Sequence, residues 1–111
     1  MPYTNVRRKV RRKGNLVKTI TYDGHKIEVS ISIFAKEEIK YDGKVMSSKY
    51  SVTGSTHIFN VIENDDNIQY EVESGIRWHG FSLWNTVRRN GMVIFSDRQY
   101  VKRGRYPMPL S

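Results

Sequence analysis

The sequence predicts an all-β domain, an antiparallel β-sandwich or small barrel of about seven or eight strands joined by hairpins. Three observations carry this. Asp23-Gly24, Asp42-Gly43 and Asn90-Gly91 each separate two runs rich in β-branched and aromatic residues. Both central residues of a type I′ hairpin turn need positive φ, which Asp, Asn and Gly tolerate. The run His25–Phe34 alternates, with Ile27, Val29, Ile31 and Ile33 on one face and Lys26, Glu28, Ser30 and Ser32 on the other, the period of a half-buried strand. No long segment shows an apolar stripe at helical spacing.

Taken in order, Leu16–Tyr22 runs into Asp23-Gly24 and returns as His25–Phe34. Ala35–Ile39 is the best place for a helical turn. Glu38–Tyr41 leads through Asp42-Gly43 into Lys44–Val52. Thr56–Ile62 and Ile68–Glu73 flank a polar turn over Glu63–Asn67, and Asn85–Arg89 returns through Asn90-Gly91 as Met92–Ser96. Gly54, Gly75 and Gly80 mark turns or a bulge, since glycine weakens a strand interior. The expected core draws on Ile27, Val29, Ile31, Ile33, Phe59, Val61, Tyr70, Val72, Trp78, Leu83, Val87, Ile94 and Phe95. Ile94 and Phe95 are adjacent, so a regular strand turns only one of them inward.

The charge is unevenly placed. Residues 1–18 carry Arg7, Arg8, Lys9, Arg11, Arg12, Lys13 and Lys18, and residues 98–111 carry Arg98, Lys102, Arg103 and Arg105, with no acid in either segment. All eleven acids lie in residues 19–97 against eight bases, so the body is mildly acidic although the chain is +8 overall. This organisation predicts one domain over 1–111: a core of about 16–97, a basic segment 1–15, and a tail 98–111 in which Tyr106-Pro107-Met108-Pro109-Leu110 cannot pair as a central strand.

The basic N-terminal segment has two readings. It repeats Val6-Arg7-Arg8-Lys9 as Val10-Arg11-Arg12-Lys13, which suits an arm that neutralises phosphates or anionic lipid heads. Yet Val10-Arg11-Arg12-Lys13-Gly14 echoes Val87-Arg88-Arg89-Asn90-Gly91, which sits at a hairpin turn. That echo makes 6–13 a charged edge strand, a device that discourages unwanted sheet pairing.

Composition limits the chemistry. With no cysteine there is no disulfide framework or thiolate metal site, as fits a reducing compartment. No apolar run approaches the ~20 residues that span a bilayer, and the basic start lacks the apolar stretch of a secretory signal. An organelle transit peptide is disfavoured by the scarcity of serine. A cytoplasmic protein is expected.

His25, His57 and His79 lie on different strands without metal-ligand spacing and read as surface or edge residues. The side chain of His57 shares a face with Phe59, which argues for partial burial. Glu63, Asp65 and Asp66 lack the glycine and distal glutamate of a calcium loop and read as a solvated turn. No Walker loop or nucleophile elbow is present. A noncatalytic protein without a cofactor is expected.

The richest local constellation is Arg77-Trp78-His79-Gly80-Phe81-Ser82-Leu83-Trp84, followed by Arg88 and Arg89. Aromatic rings stack on bases while cations hold phosphates; large indoles equally anchor cores.

The segments Tyr41-Asp42-Gly43-Lys44, Ser47 to Lys49, Gly54-Ser55-Thr56-His57-Ile58-Phe59-Asn60-Val61, Tyr70-Glu71-Val72 and Val87-Arg88-Arg89-Asn90-Gly91 resemble a group of small bacterial all-β proteins. More distantly, they resemble a repeat unit of the Fas apoptotic inhibitory molecule family. That resemblance spans about residues 16–97 and implies a β-sandwich that acts through protein contacts.

The functional expectation is a binding module for an anionic macromolecule, a nucleic acid or an acidic protein surface. It would use Arg7, Arg8, Lys9, Arg11, Arg12, Lys13, Arg88, Arg89, Lys102, Arg103 and Arg105. The alternative is a protein-interaction or self-association sandwich presenting Trp78, Phe81 and Trp84.

Overall fold

The computed structural model describes residues 4–10, 16–32, 34–51, 54–77 and 82–98. These residues form β1 (Thr4–Val10), β2 (Leu16–Tyr22), β3 (His25–Ile31), β4 (Lys36–Tyr41), β5 (Lys44–Tyr50), β6 (Ser55–Glu63), β7 (Asp66–Arg77), β8 (Ser82–Arg89) and β9 (Met92–Ser96). They build two open antiparallel meanders, β1-β2-β3-β4-β5 and β6-β7-β8-β9. The sheets do not close into a barrel, so the sandwich is the architecture.

Type I′ geometry sets the hairpins. Asp23 and Gly24 have φ of 51° and 82°, Asp42 and Gly43 48° and 88°, and Asn90 and Gly91 49° and 84°. A fourth tight turn uses Asn64 and Asp65, at 51° and 68°, between the paired residues Glu63 and Asp66. It is shorter than the polar turn expected over Glu63–Asn67, because two residues with positive φ suffice to reverse a twisted pair.

The N-terminal basic segment is a strand through Val10. β1 pairs with β2 from Thr4↔Tyr22 to Val10↔Leu16 and forms one edge of its sheet. Arg11, Arg12 and Lys13, with Lys102, Arg103 and Arg105, lie outside the described residues, as do Trp78, His79, Gly80, Phe81 and Ile33.

The helical turn expected at Ala35–Ile39 does not form. Ala35 adopts φ 64°, its N–H bonds Ser32 O at 2.9 Å, and the chain extends at once as β4. Gly75 marks neither a turn nor a bulge. It lies in the regular part of β7 opposite Trp84.

Ile20, Ile27, Val29, Ile31, Ile39 and Tyr41 from the first sheet pack against Phe59, Ile68, Tyr70, Val72, Leu83 and Val87 from the second. Full burial of each aliphatic side chain contributes roughly 1.5–3 kcal/mol. Alternation puts them inside: β3 buries Ile27, Val29 and Ile31 and leaves Lys26, Glu28 and Ser30 on the outer face. Ile94 and Phe95 both pack against the core, because the register shifts between Val87↔Phe95 and Arg88↔Val93. The extra residue of that bulge lets two neighbours share a face.

The two sheets are joined at their rims by polar side chains. At one edge, Thr4 Oγ1 donates to Ile94 O at 3.2 Å. Nearby, buried Lys18 donates to Leu83 O at 2.8 Å and to Asp97 Oδ2 at 2.5 Å. β1 therefore lies across from β9, and Asp97 is held two residues into β2.

Candidate anionic-partner surface

Because β1, β2 and β3 are consecutive neighbours, their registers align outward side chains in rows. Asn5, Thr21 and Lys26 form one row, and Arg7, Thr19 and Glu28 the next. Val6 packs on the core, which turns Asn5 and Arg7 to solvent. Asn5, Arg7, Thr19, Thr21 and Lys26 line a depression of about 340 Å³. Its described lining supplies two cations, two hydroxyls and a carboxamide, with no acid among these residues. A guanidinium and an ammonium with hydroxyl donors between them suit phosphate or carboxylate oxygens.

A second depression of about 520 Å³ shares Thr19 and Lys26 and continues to Gly24, Glu28, Asp42 and Gly43. Its acids close that side of the surface to an anion. Asp42 is already engaged: Oδ1 accepts from Lys26 N–H and Oδ2 lies 2.8 Å from His25 Nδ1. The bond to Asp42 raises the His25 pKa above its ordinary value, against the opposing effect of burial. His25 stacks on Tyr41 with ring centroids 5.4 Å apart.

The expected anion-binding residues do not all share this face. Arg7 is exposed on it; Arg8 and Lys9 occupy β1 positions paired with Lys18 and Val17. Arg88 lies on the other sheet and pairs with Glu71 at 3.4 Å and Glu73 at 3.1 Å. Arg89 turns inward to Glu63 at 2.6 Å, with its guanidinium 5.6 Å from the Tyr22 ring centroid.

Trp84 is half-buried on the outer face of the four-stranded sheet. Its indole lies across Gly75, and the Arg98 guanidinium stacks 4.7 Å from its centroid. Asn5, Thr19, Thr21 and Lys26 escaped the sequence reading because only the three-strand register brings them together. The polar face of β3 was the available signal.

Glu63 and His57 correct two expectations. Glu63 is not part of a solvated turn: it is buried and accepts from Tyr41 at 2.5 Å and Tyr70 at 2.6 Å on Oε2 and from Arg89 on Oε1. Burial pushes its pKa up, but the three donors outweigh burial and hold the carboxyl below its usual range. Burial and the bond to Glu63 push both tyrosine hydroxyls well up.

His57 does lie on an edge strand, but it is not a surface residue: it is completely buried rather than partly so, because β6 turns it into the space between the sheets beside Phe59. Its Nε2 lies 3.0 Å from Glu37 Oε1 and its Nδ1 2.7 Å from Ser47 Oγ. Ser55 donates to the same Glu37 oxygen at 2.5 Å. In the tautomer with the proton on Nε2, Nδ1 accepts from the Ser47 hydroxyl. These contacts join β4, β5 and β6 across the corner where the chain changes sheets. Neither depression is lined by His25 or His57. Among the described residues no group of acids and histidines could hold a metal ion, and no helix is long and apolar enough to cross a membrane.

No family model, curated protein or solved structure matches the chain.

Proposed function

We propose that the chain is a noncatalytic binding module that holds the phosphate backbone of a nucleic acid on the outer face of its five-stranded sheet. The depression between Arg7 and Lys26 carries this reading. It places two cations and their hydroxyl neighbours on one concave face, bounded on one side by the basic edge strand β1. The basic composition of the segments that follow β1 and Asp97 in sequence supports it, with Arg11, Arg12 and Lys13 in the first and Lys102, Arg103 and Arg105 in the second. Among the described residues no aromatic side chain lines the depression, which favours electrostatic recognition tolerant of sequence.

The test is anisotropy of labelled single-stranded and duplex oligonucleotides against the full chain at two salt concentrations. Binding is expected to weaken steeply with salt through counterion release. Arg7→Ala and Lys26→Ala should each lower the salt slope by about one. An absence of binding at low salt, or binding indifferent to both substitutions, overturns the proposal. Capture of an acidic polypeptide without any nucleic-acid binding would point instead to the acidic protein surface.

A further inference from the structure

Four strands are sheet edges: β1, β5, β6 and β9. An exposed edge invites pairing with another chain, and folded proteins blunt it with charge, bulges or short length. Three of these edges are blunted. β1 carries Arg7, Arg8 and Lys9. β5 carries Lys44 and Lys49, and its register to β4 shifts after Ile39. β9 is only five residues long and bulged.

β6 differs. From Ser55 to Ile62 it contains no Asp, Glu, Lys, Arg or Pro, and its register with β7 runs without a shift from Ser55↔Ser74 to Glu63↔Asp66. The two-residue turn Asn64-Asp65 makes Glu63 and Asp66 a hydrogen-bonded pair, as in I′ hairpins. By alternation, Val61, Phe59 and His57 also bond β7. Ile62, Asn60, Ile58 and Thr56 aim their N–H and C=O groups at the free side. Lys49 Nζ already donates to Thr56 O at 2.5 Å, which agrees with that assignment. Among the described residues, nothing bonds the backbone of Ile58, Asn60 or Ile62 on this side. The side chains of Ile58 and Ile62 are 58% and 67% exposed.

We propose that this edge is the contact between two copies of the chain, paired antiparallel about a twofold axis at Asn60. The register follows from the residues. Centring on Asn60 sets Ile58 against Ile62 of the second copy, Phe59 against Val61, and Asn60 against itself. Apolar residues then meet apolar ones, and no like charges are opposed. The Ile58–Ile62 and Asn60–Asn60 pairs are the hydrogen-bonded ones, so each unpaired N–H and C=O from Ile58 to Ile62 gains a partner. The Lys49 ammonium at Thr56 bounds the seam at one end, and the Asn64-Asp65 turn bounds it at the other. Two four-stranded sheets become one of eight, and the depressions on the five-stranded sheets stay open. The contact does not depend on the nucleic-acid reading.

Sedimentation velocity of the full chain over a concentration series, in buffer without nucleic acid, is the test. The wild type should shift from one chain toward two with concentration. Ile62→Lys, which adds a charge at an exposed position, should abolish the shift. Asn60→Pro should do the same by removing a single outward N–H, a substitution edge strands accommodate. Far-UV circular dichroism establishes that each variant folds. Amide exchange on the wild type gives an independent readout: protection of the Ile58, Asn60 and Ile62 N–H groups should rise with concentration. A wild type that stays monomeric, a dimer indifferent to both substitutions, or exchange at these amides that ignores concentration would overturn the proposal.

Discussion

Lys18 Nζ of β2 lies 2.5 Å from Asp97 Oδ2, just beyond β9, with the lysine side chain only 2% exposed. A buried ammonium is held by its carboxylate, and removing one member of such a pair costs about 3–5 kcal/mol. Asp97→Ala is expected to destabilise the fold by that order. Lys18→Met, which takes the charge away as well, should cost less than Asp97→Ala. Urea unfolding of both variants checks the ranking, and the reverse order would contradict it.

The Glu63 hub predicts how the fold responds to acid. Its carboxyl is held below the usual glutamate range by its three donors, so the native state favours the charged form. That stabilisation is complete above the unfolded carboxyl pKa and disappears as pH falls through the lower folded value. Glu63→Gln should therefore flatten the acid limb of a stability profile measured by urea unfolding at successive pH values. Parallel limbs for wild type and variant would remove Glu63 from the account.

His25 works in the opposite direction. Its folded pKa is raised by Asp42 above 6.5, so its contribution is present below the unfolded value and lost as pH rises through the folded one. In an NMR titration of the imidazole protons, Asp42→Asn should return the His25 midpoint toward 6.5. An unchanged midpoint would show that Asp42 is not the cause.

At Gly75, an added Cβ would fall on the Trp84 indole. Gly75→Ala is expected to cost roughly 1–3 kcal/mol as an overpacked site and to displace the indole from beneath Arg98. Chemical unfolding reads the first effect and tryptophan fluorescence the second.

Strand identity was legible because its signals are local. Asp-Gly and Asn-Gly fix the turns at 23–24, 42–43 and 90–91, and alternation alone assigns the inward face of β3. What escaped depends on neighbours far away in sequence. Lys18 and Glu37 look like surface charges until Asp97 and His57 are brought to them. Tyr41 and Ile68 join the core only when the sheets stack. The Arg7–Lys26 depression has the same origin: its residues come from three strands, and the sequence does not display their register. Ile94 and Phe95 posed an apparent conflict that a bulge resolves, and bulges leave little mark in a single sequence.

The strictly consecutive strand order bears on how the chain reaches this structure. Every strand pairs with the one beside it in sequence, so most ladders close over short loops, where chain-closure entropy is least. Among the described strands the backbone passes from one sheet to the other only once, between Tyr50 and Ser55. Each meander can therefore assemble from its own hairpins, while Ile20, Ile39, Tyr70 and Val87 remain wet until the halves meet. The topology thus allows folding as a docking of two locally built pieces. The buried pairs Lys18–Asp97, Tyr41–Glu63 and Glu37–His57, each with one member in either half, select the alignment in which they dock.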